Sequence, residues 1–462
     1  MKTKIKQLSF YKDPEEIFYP YREEQYAVFL DSSLENDQGR YSIIGVNPYL
    51  ILSQKNGKCT VNDTADGRPL EEVLDRCLED FGEENQTGLP LVSGAVGYLS
   101  YDFGRRFERV LSCHQKETGV PEAVFVFYDN LIIADQRERK LYLTAREENK
   151  SAEDAFREME RTARESISLR KPQRQQRIAD FVPDFQKQEY EKAVEKMISY
   201  IEEGDIYIAN MTQQLRIPGK GQCYDVFHYL RTHNPSPFGA YMNYGDFQVI
   251  CASPERFLKV TDKTAVTRPI KGTRRRGRNR AEDIQLRQEL LDSEKDRSEL
   301  LMIVDLERND LNCICEPGTV KVPEHCTAEE YATVFHLVST VEGKLREGAN
   351  VQELLKAMFP GGSVTGAPKI HAMEIIDRLE RSQRGLYTGS IGYVSLDGDC
   401  DFNIVIRTAV YKDGMYRLGV GGGITWESDP GFEYEETMQK AKAVLEAVAA
   451  AEGDRIYEHT GR

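Results

Sequence analysis

The sequence predicts an α+β fold that is built mainly from antiparallel strands. Short segments rich in β-branched and aromatic residues follow one another in the first third of the chain, without a regular alternation with helices. In the second half, hairpin-like strand pairs are separated by groups of helices, instead of the strand–helix repeat of a parallel sheet.

The first 150 residues contain six segments of strand character, YAVFL, YSIIG, LILSQ, AVFVFYD, LIIAD and KLYLTA. A charged segment that begins at Ser151 has helical character. It is followed by polar and basic residues, interrupted by Pro172 and Pro183. This stretch predicts a linker or a surface excursion between two parts of the chain.

A helix is predicted next, because apolar residues recur at helical spacing at Tyr190, Val194, Met197, Ile198 and Ile201. Strands FQVICA, RFLKV and AVTRPI follow, then one or two helices over 281–310 and a helix at APKIHAMEIIDRLE. Strands GSIGYVSLD, DFNIVIRTAVY and MYRLGVGGGI precede the closing helix GFEYEETMQKAKAVLEAVAA. The pattern G-x-x-G-Y occurs at Gly94 and again at Gly389, which suggests related strands in two sheets.

Composition excludes several classes of protein. The 61 basic and 76 acidic side chains give a net charge of −15, which disfavours a general nucleic-acid binder. No apolar run approaches the roughly 18 residues of a membrane-spanning helix, and the N-terminus lacks the apolar core of a secretion signal. The nine cysteines form neither a CxxC zinc pattern nor a dense disulfide framework. We therefore expect an acidic cytoplasmic enzyme with neither nucleic acid nor membrane as partner.

The most unusual segment is the basic run RPIKGTRRRGRNR. A solvated loop is its simplest explanation, and a nucleic-acid patch is disfavoured because no aromatic residues are interleaved. A chemical interpretation starts from Lys271, since Arg268, Arg274 and Arg275 are close to it in sequence. Neighbouring cations would disfavour the ammonium form and leave the free amine that a nucleophile requires.

Glu255 lies in SPERF, ahead of this basic run. If Asp262–Thr264 form a three-residue hairpin loop, Thr261 pairs with Ala265 and Glu255 falls opposite Lys271. Their Cβ atoms would then be about 5 Å apart. The two side chains would form either a cross-strand ion pair or a general acid beside a nucleophile.

Two carboxylate pairs have the spacing that places both members on one helix face, Asp296 with Glu299 and Glu433 with Glu436. Each pair alone is more often structural. Brought together, the two pairs would form an oxygen-rich site suited to Mg²⁺. The glycines Gly421, Gly422 and Gly423 end a strand, where they form a sheet corner or let backbone approach a ligand. His336 has apolar neighbours and, taken alone, is a core histidine.

As a set, these segments resemble the chorismate-utilising enzymes, specifically component I of aminodeoxychorismate synthase. The motifs occur in one order: GDIYIANMTQ, NPSPFGAYM, SPERF, RPIKGT, DRSELLMIVDLERND, VFHLVST, GGSVTGAPK, FNIVIRT and EYEET. The resemblance implies two large, mainly antiparallel sheets packed face to face with helices outside, a four-layer αββα fold. It implies an N-terminal β-rich region, 1–175, that interlocks with the core, and a chorismate-binding catalytic region, 180–462.

Three positions separate the branches of this family. Aminodeoxychorismate synthases typically have lysine at the position of Lys271, and anthranilate synthases typically have alanine. Isochorismate- and salicylate-forming relatives have a water-activating lysine at the position of Ile208. The tryptophan-feedback motif LLES of anthranilate synthases is FLDS here, at Phe29–Ser32, which disfavours tryptophan inhibition and leaves a residual pocket as the alternative. The main alternative is component I of anthranilate synthase, and a second is a non-catalytic regulator built around Arg274–Arg280.

The resemblance also implies roles for individual residues. Lys271 would be the nucleophile, Glu255 the general acid, and His336 a group that polarises or orients the ring carboxylate. Mg²⁺ would be held by Glu299 and Glu436, with Asp296 and Glu433 in or beside its coordination shell. Chorismate would be placed by Gly272, Thr273, Tyr387, Arg407, Gly421, Gly422 and Gly423. No Gly-x-Cys-x-Gly elbow is present, so a separate glutamine amidotransferase subunit is the expected source of ammonia.

Overall fold

The computed structural model describes residues 2–34, 36, 38–115, 119–174, 176–331 and 334–453. Within these ranges it confirms the predicted α+β class. The end of the region 180–462, residues 454–462, lies outside the described residues.

The strands are β1 (Lys4–Gln7), β2 (Val28–Asp31), β3 (Tyr41–Lys55), β4 (Lys58–Val61), β5 (Thr64–Asp66), β6 (Gly94–Leu99), β7 (Ala123–Asp135), β8 (Lys140–Ala145), β9 (Val182–Pro183), β10 (Ile208–Pro218), β11 (Phe238–Asn243), β12 (Gln248–Ser253), β13 (Arg256–Thr261), β14 (Thr264–Thr267), β15 (Ile270–Arg275), β16 (Lys321–Glu330), β17 (Val334–Lys344), β18 (Gly366–Ala367), β19 (Ser390–Ser395), β20 (Cys400–Asn403), β21 (Thr408–Lys412) and β22 (Met415–Ile424). The α-helices are α1 (Pro14–Phe18), α2 (Leu70–Phe81), α3 (Tyr101–Gly104), α4 (Ala152–Glu165), α5 (Lys187–Glu202), α6 (Cys223–His233), α7 (Arg280–Asp292), α8 (Glu294–Asn312), α9 (Val351–Met358), α10 (Lys369–Leu379) and α11 (Pro430–Gly453).

The strands of the described residues pair in antiparallel fashion. Hydrogen bonds join all 22 strands into one network, so the sheet layers are connected through shared strands. Strands from the first 150 residues pair directly with later ones, β2 with β11 and β6 with β19.

The three largest hydrophobic cores of the described residues separate the layers. The inner core is formed by strand and loop residues alone, within the described part of the chain. A second core lies under α1, α4, α6 and α11, and a third lies under α2, α8 and α9. This arrangement places sheet against sheet in the middle and helices on both outer faces, because a helix buries one apolar stripe and a sheet buries one face.

Strand β7 belongs to both sheet layers, and all of its residues are buried. In its first half Val126 faces the inner core and Phe125 faces the core under α2. In its second half Ile133 faces the inner core, whereas Ile132 faces the core under α6. Its partner β3 has a register shift just after Pro48, where the ladder bends from one layer to the other.

The repeated G-x-x-G-Y motif corrects one expectation. Its two copies are neighbours in a single ladder, in which Gly97 pairs with Gly392, and they do not lie in two sheets. A Cβ atom at Gly97 would lie 1.9 Å from the carbonyl oxygen of Val124, and one at Gly392 would lie 2.1 Å from that of Asp401. Glycine recurs because the neighbouring backbones approach too closely for a side chain.

None of the helices in the described ranges is long and apolar enough to cross a membrane.

A buried ion pair connects α10 to β10 and to the segment before β19. The guanidinium of Arg384 donates to Glu380 at 2.7 Å and to the carbonyl oxygens of Val364 and Asn210. Glu380 also accepts from the backbone and hydroxyl of Thr212. The side chains of Arg384 and Glu380 are 2% and 5% exposed, so each charge depends on the other for solvation.

We predict that Arg384→Met lowers the free energy of unfolding by roughly 3–5 kcal/mol, because Glu380 would be left buried without its cation. Urea denaturation of the purified protein measures the loss. The matched control is Arg381→Met, which breaks an ion pair with Glu189 whose side chains are 48% and 43% exposed. That control should cost about 1 kcal/mol or less. Equal losses in the two variants would contradict the assigned role of burial.

Candidate active site

Lys271 lies on β15 beside a β-bulge. The ladder between β15 and β17 shifts register between Lys271 and Thr273, and Gly272 in between has φ +68°. A Cβ atom at Gly272 would also lie 2.8 Å from the carboxyl carbon of Asp296. Both observations require glycine here, and the bulge turns β15 towards the last strand, β22. The Lys271 amine then lies over Gly423, 3.3 Å from where a Cβ atom of that glycine would be.

The predicted pairing of Lys271 with Glu255 is wrong. The hairpin between β13 and β14 has a two-residue loop, Asp262 and Lys263, so Thr261 pairs with Thr264 instead of Ala265. Both loop residues have positive φ, as in the tight turns that match the twist of paired strands. The ladder then ends before Pro269, which has no backbone N–H to donate, and Lys271 pairs with Leu337 of β17.

Glu255 nevertheless lies within electrostatic range of Lys271. Burial raises the pKa of the Glu255 carboxyl, while Lys271, a hydrogen bond from Ser363, and the cations Lys440 and Arg407 oppose the rise. A carboxyl group with a raised pKa retains its proton more readily than an exposed glutamate. Glu255 therefore has the properties of a proton donor beside an amine.

The expected cluster of cations around Lys271 is not present. Arg274 forms an ion pair with Asp296 at 2.9 Å, Arg275 pairs with Glu282, and Arg268 pairs with Glu329. The charges that act on Lys271 are instead the carboxylates of Glu255 and Glu299. These acids come from other elements of the fold, so the sequence around Lys271 did not reveal them.

The two carboxylate pairs approach each other across the gap between α8 and α11. Burial raises the pKa of Glu299, and the like charges of Asp296 and Glu436 add to the rise. Burial also raises the pKa of Glu433, with a further contribution from Glu436. Gly422 of β22 lies beside them, since a Cβ atom there would be 3.1 Å from Glu433 and 4.0 Å from Glu436.

Two lysines balance this negative charge. Lys440 contacts Glu436 at 2.7 Å and donates to the carbonyl oxygen of Gly421, and Lys295 lies 3.9 Å from Glu299. Donor atoms of the four acids do not gather within 4.8 Å of one another as a three-residue group in the described part of the chain. The donor set still fits a hard divalent cation, because it consists of carboxylate oxygens whose mutual repulsion a cation relieves.

His336 lies opposite Thr273 on β17, with its Nδ1 atom 2.9 Å from the threonine hydroxyl. Burial lowers the pKa of His336 to about 4, and the positive charge of Arg407 contributes to the decrease. The ring of Tyr331 packs edge-on against the imidazole, with centroids 5.1 Å apart. His336 is therefore a neutral imidazole at the edge of the site and not an isolated core residue.

Arg407 and Tyr387 are placed differently. Arg407 has φ +50° and an exposed side chain that interacts electrostatically with Glu255. The ring of Tyr387 lies directly over Gly419, four residues before Gly423 on β22. At roughly 3.3 Å per residue, this is about 13 Å along the strand from the glycine under Lys271. Tyr387 thus stands at one end of the site, and Arg407 lies with the charged groups.

Four side chains of this region were not predicted from the sequence. Lys440 and Lys295 balance the acids, and Ser363 binds Glu255. The fourth, Glu307, is buried, bonded to the hydroxyl of Thr267 and close enough to Glu255 to interact with it; burial raises its pKa to about 8. Lys440 follows Glu436 by four residues, and Lys295 precedes Glu299 by four residues. This spacing could have identified both lysines from the sequence.

A separate cavity of about 670 Å³ lies at the segment FLDSS. Its lining includes Asp31, Ser32 and Arg256, but neither Lys271 nor the four acids. The carboxylate of Asp31 already has two partners, since Arg231 forms an ion pair with it at 3.0 Å and the hydroxyl of Ser42 donates to it at 3.0 Å. This cavity is therefore distinct from the charged site between β15, β22, α8 and α11.

Comparison with known proteins identifies the family of this chain. The sequence profile described as "chorismate binding enzyme" matches residues 27–446. Aminodeoxychorismate synthase component 1 of Bacillus subtilis is 36% identical over 427 residues, which cover 90% of each chain. Anthranilate synthase component 1 of Thermus thermophilus is 37% identical over 431 residues, covering 92% of this chain and 93% of the relative.

Among solved structures, anthranilate synthase component I from Streptococcus pneumoniae superposes with a TM-score of 0.79 at 31% identity. The superposition covers 89% of this chain and 93% of that one. The match spans both the N-terminal strands and the charged site. The chain therefore belongs to the chorismate binding enzyme family, and it is a chorismate-utilising enzyme of the type shared by component I of anthranilate and aminodeoxychorismate synthases.

Proposed function

We propose that this chain is component I of an aminodeoxychorismate synthase, which converts chorismate and ammonia to 4-amino-4-deoxychorismate for p-aminobenzoate and folate synthesis. The observation that carries the proposal is the position of Lys271. Its amine lies over the bare backbone of Gly423 and within electrostatic range of the carboxyl groups of Glu255 and Glu299. A nucleophile and a proton donor are thus close together on a surface that a flat ring can approach.

Chorismate is a dianion, so the site must hold two carboxylates. Arg407, an exposed residue that interacts electrostatically with Glu255, would bind one of them. The backbone of Gly421–Gly423 would lie along the substrate, with Tyr387 towards the start of the same strand. Thr273 and the bulged backbone at Gly272 face the other side of the substrate. His336 is hydrogen-bonded to Thr273 and orients its side chain. Because its imidazole is neutral, His336 would polarise the ring carboxylate of chorismate without adding a charge.

Mg²⁺ bound here would neutralise charge that develops on the ring carboxylate. Glu299 and Glu436 would hold it, with Asp296 and Glu433 in or beside its shell. Lys295 and Lys440 contact two of these acids, so the lysines would move aside or share the carboxylates when a cation binds. The ion's contribution would be electrostatic, and the covalent chemistry would remain with side chains.

The proposed reaction has two displacements. The Lys271 ammonium passes a proton to Glu255, and the free amine attacks C2 of the ring. The two double bonds shift, and the C4 hydroxyl leaves as water with the proton from Glu255. Ammonia then attacks C4, the double bonds shift back, and the bond from C2 to Lys271 breaks. The proton released by ammonia returns to Glu255. Chorismate and ammonia thereby give 4-amino-4-deoxychorismate and water, and the enolpyruvyl group stays on the ring.

The alternative is an anthranilate synthase component I, which loses pyruvate and forms an aromatic product. The relative from Thermus thermophilus favours it, because that anthranilate synthase component 1 is 37% identical to this chain and the aminodeoxychorismate synthase relative is 36% identical. The presence of Lys271 favours the first proposal, because direct addition of ammonia has no use for a lysine nucleophile. In either case we propose a separate glutamine amidotransferase as the ammonia source, as the designation component I of the relatives suggests.

We predict that the purified chain, supplied with chorismate, Mg²⁺ and ammonium, forms 4-amino-4-deoxychorismate. Liquid chromatography with mass spectrometry identifies this product by its retained enolpyruvyl group. Chelation of Mg²⁺ should stop turnover. Anthranilate fluorescence together with pyruvate release would establish the alternative.

Lys271→Met should reduce turnover at least about 100-fold, equivalent to roughly 3 kcal/mol of transition-state stabilisation, because the nucleophile is lost. Without ammonia, the wild type should accumulate a covalent adduct whose added mass is that of one chorismate minus one water. The variant should not form this adduct. Lys321→Met is the matched control, since Lys321 is an exposed lysine of the same strand network. Normal turnover in Lys271→Met would exclude covalent catalysis.

The depressed pKa of His336 has a consequence for stability. Between pH 6.5 and 4 the unfolded histidine binds a proton that the folded one, with a pKa of about 4, does not bind. Acidification in this window therefore lowers stability, by about 2 kcal/mol at pH 5. Urea denaturation of wild type and His336→Gln at pH 7 and pH 5 tests this. The variant should lose about 2 kcal/mol less on acidification, and parallel losses would contradict the assignment.

A further inference from the structure

A second cavity, of about 400 Å³, lies behind Tyr387. It is lined by residues that flank α3, by the segment from Ser382 to Tyr387, and by β21 and β22. Neither Lys271 nor Glu255 nor any of the four acids contributes to it. Its size is that of a pocket for a small organic molecule.

The cavity and the active site share one face of β22. Side chains alternate along a strand, so Arg417, Gly419, Gly421 and Gly423 point to the same side. Gly423 lies under the Lys271 amine, Gly419 lies under the ring of Tyr387, and Arg417 lines the second cavity. Tyr387 therefore forms the wall between the two spaces.

Arg417 is the unusual feature of this cavity. Its Nε and Nη1 atoms are buried and have no hydrogen-bond partner among the described residues. The other three arginines of the lining are committed to acids: Arg105 to Asp377, Arg106 to Glu71 and Arg384 to Glu380. A buried guanidinium with unmade hydrogen bonds costs free energy, so its retention points to a ligand that completes it.

The remaining lining determines the class of ligand. Leu386, Val410 and Pro121 supply apolar surface, and the ring of Tyr387 faces the same space. The carboxylate of Asp102 also borders the cavity, near Arg105 and bonded to the backbone of Gly385. A single free cation beside apolar walls matches a ring that carries one negative charge. A doubly charged sugar phosphate would lack a second free cation among these residues.

We propose that this cavity is a second ligand site that binds a small aromatic monocarboxylate. The carboxylate accepts hydrogen bonds from the guanidinium of Arg417, whose buried Nε and Nη1 atoms lack partners among the described residues. The ring lies between Leu386 and Val410 and against Tyr387. This site is independent of the reaction assigned above, because it uses none of its residues except the wall formed by Tyr387.

Titration calorimetry with benzoate tests the proposal, with benzamide as the uncharged isostere. Benzoate can also enter the active site, where Arg407 is the free cation, so two variants separate the sites. Arg417→Gln should weaken one benzoate binding event at least tenfold, whereas Arg407→Gln should leave that event unchanged. Benzamide should bind at least tenfold more weakly than benzoate. Arg417→Gln should unfold at the same temperature as the wild type or higher, because it removes an unpartnered guanidinium.

Crystals soaked in 4-iodobenzoate give a second readout that needs no variant. Anomalous iodine density beside Leu386 and Val410, with the carboxylate on Arg417, supports the proposal. Iodine density confined to the space beside Arg407, or none at all, overturns it. Benzoate affinity that is unchanged in Arg417→Gln, or benzamide that binds as tightly as benzoate, also overturns it.

Discussion

The active site depends on how closely β15 and β22 approach each other. Glycine at Gly272 allows the bulge that directs Lys271 towards β22, and glycine at Gly423 leaves room for the lysine amine. A side chain at either position would meet Asp296 or the Lys271 nitrogen. The absence of a side chain at these two backbone positions thus allows the position of the Lys271 amine, which is within electrostatic range of Glu299 on α8.

Charge in this site is arranged as an alternation of lysines and carboxylates. Lys271 is within electrostatic range of Glu255 and Glu299, and Lys440 contacts Glu436. Burial raises the pKa values of Glu255 and Glu299, and the positive charge of Lys271 opposes the rise in both. The same arrangement makes the site responsive to an incoming dianion and a divalent cation, since each would replace a charge partner that is already present.

Local patterns predicted much of the fold, and long-range pairing accounts for the errors. Helical spacing placed Asp296 with Glu299 correctly on one face, because that relation is set within one turn of helix. The pairing of Glu255 with Lys271 failed because a loop shorter by one residue changes every partner along a hairpin. The partners of Arg274 and its neighbours could not be predicted, since they come from α7, α8 and β16.

The double role of β7 has a consequence for synthesis of the protein. The N-terminal part leaves the ribosome first, and one face of its strands belongs to the inner core. The residues that cover this face, among them Met242, Val249 and Ile391, are translated more than a hundred residues after β7. Until they emerge, the nascent chain exposes an apolar strand surface. Because of this delay, we expect chaperones to bind the nascent chain and fragments that end before β11 to be poorly soluble.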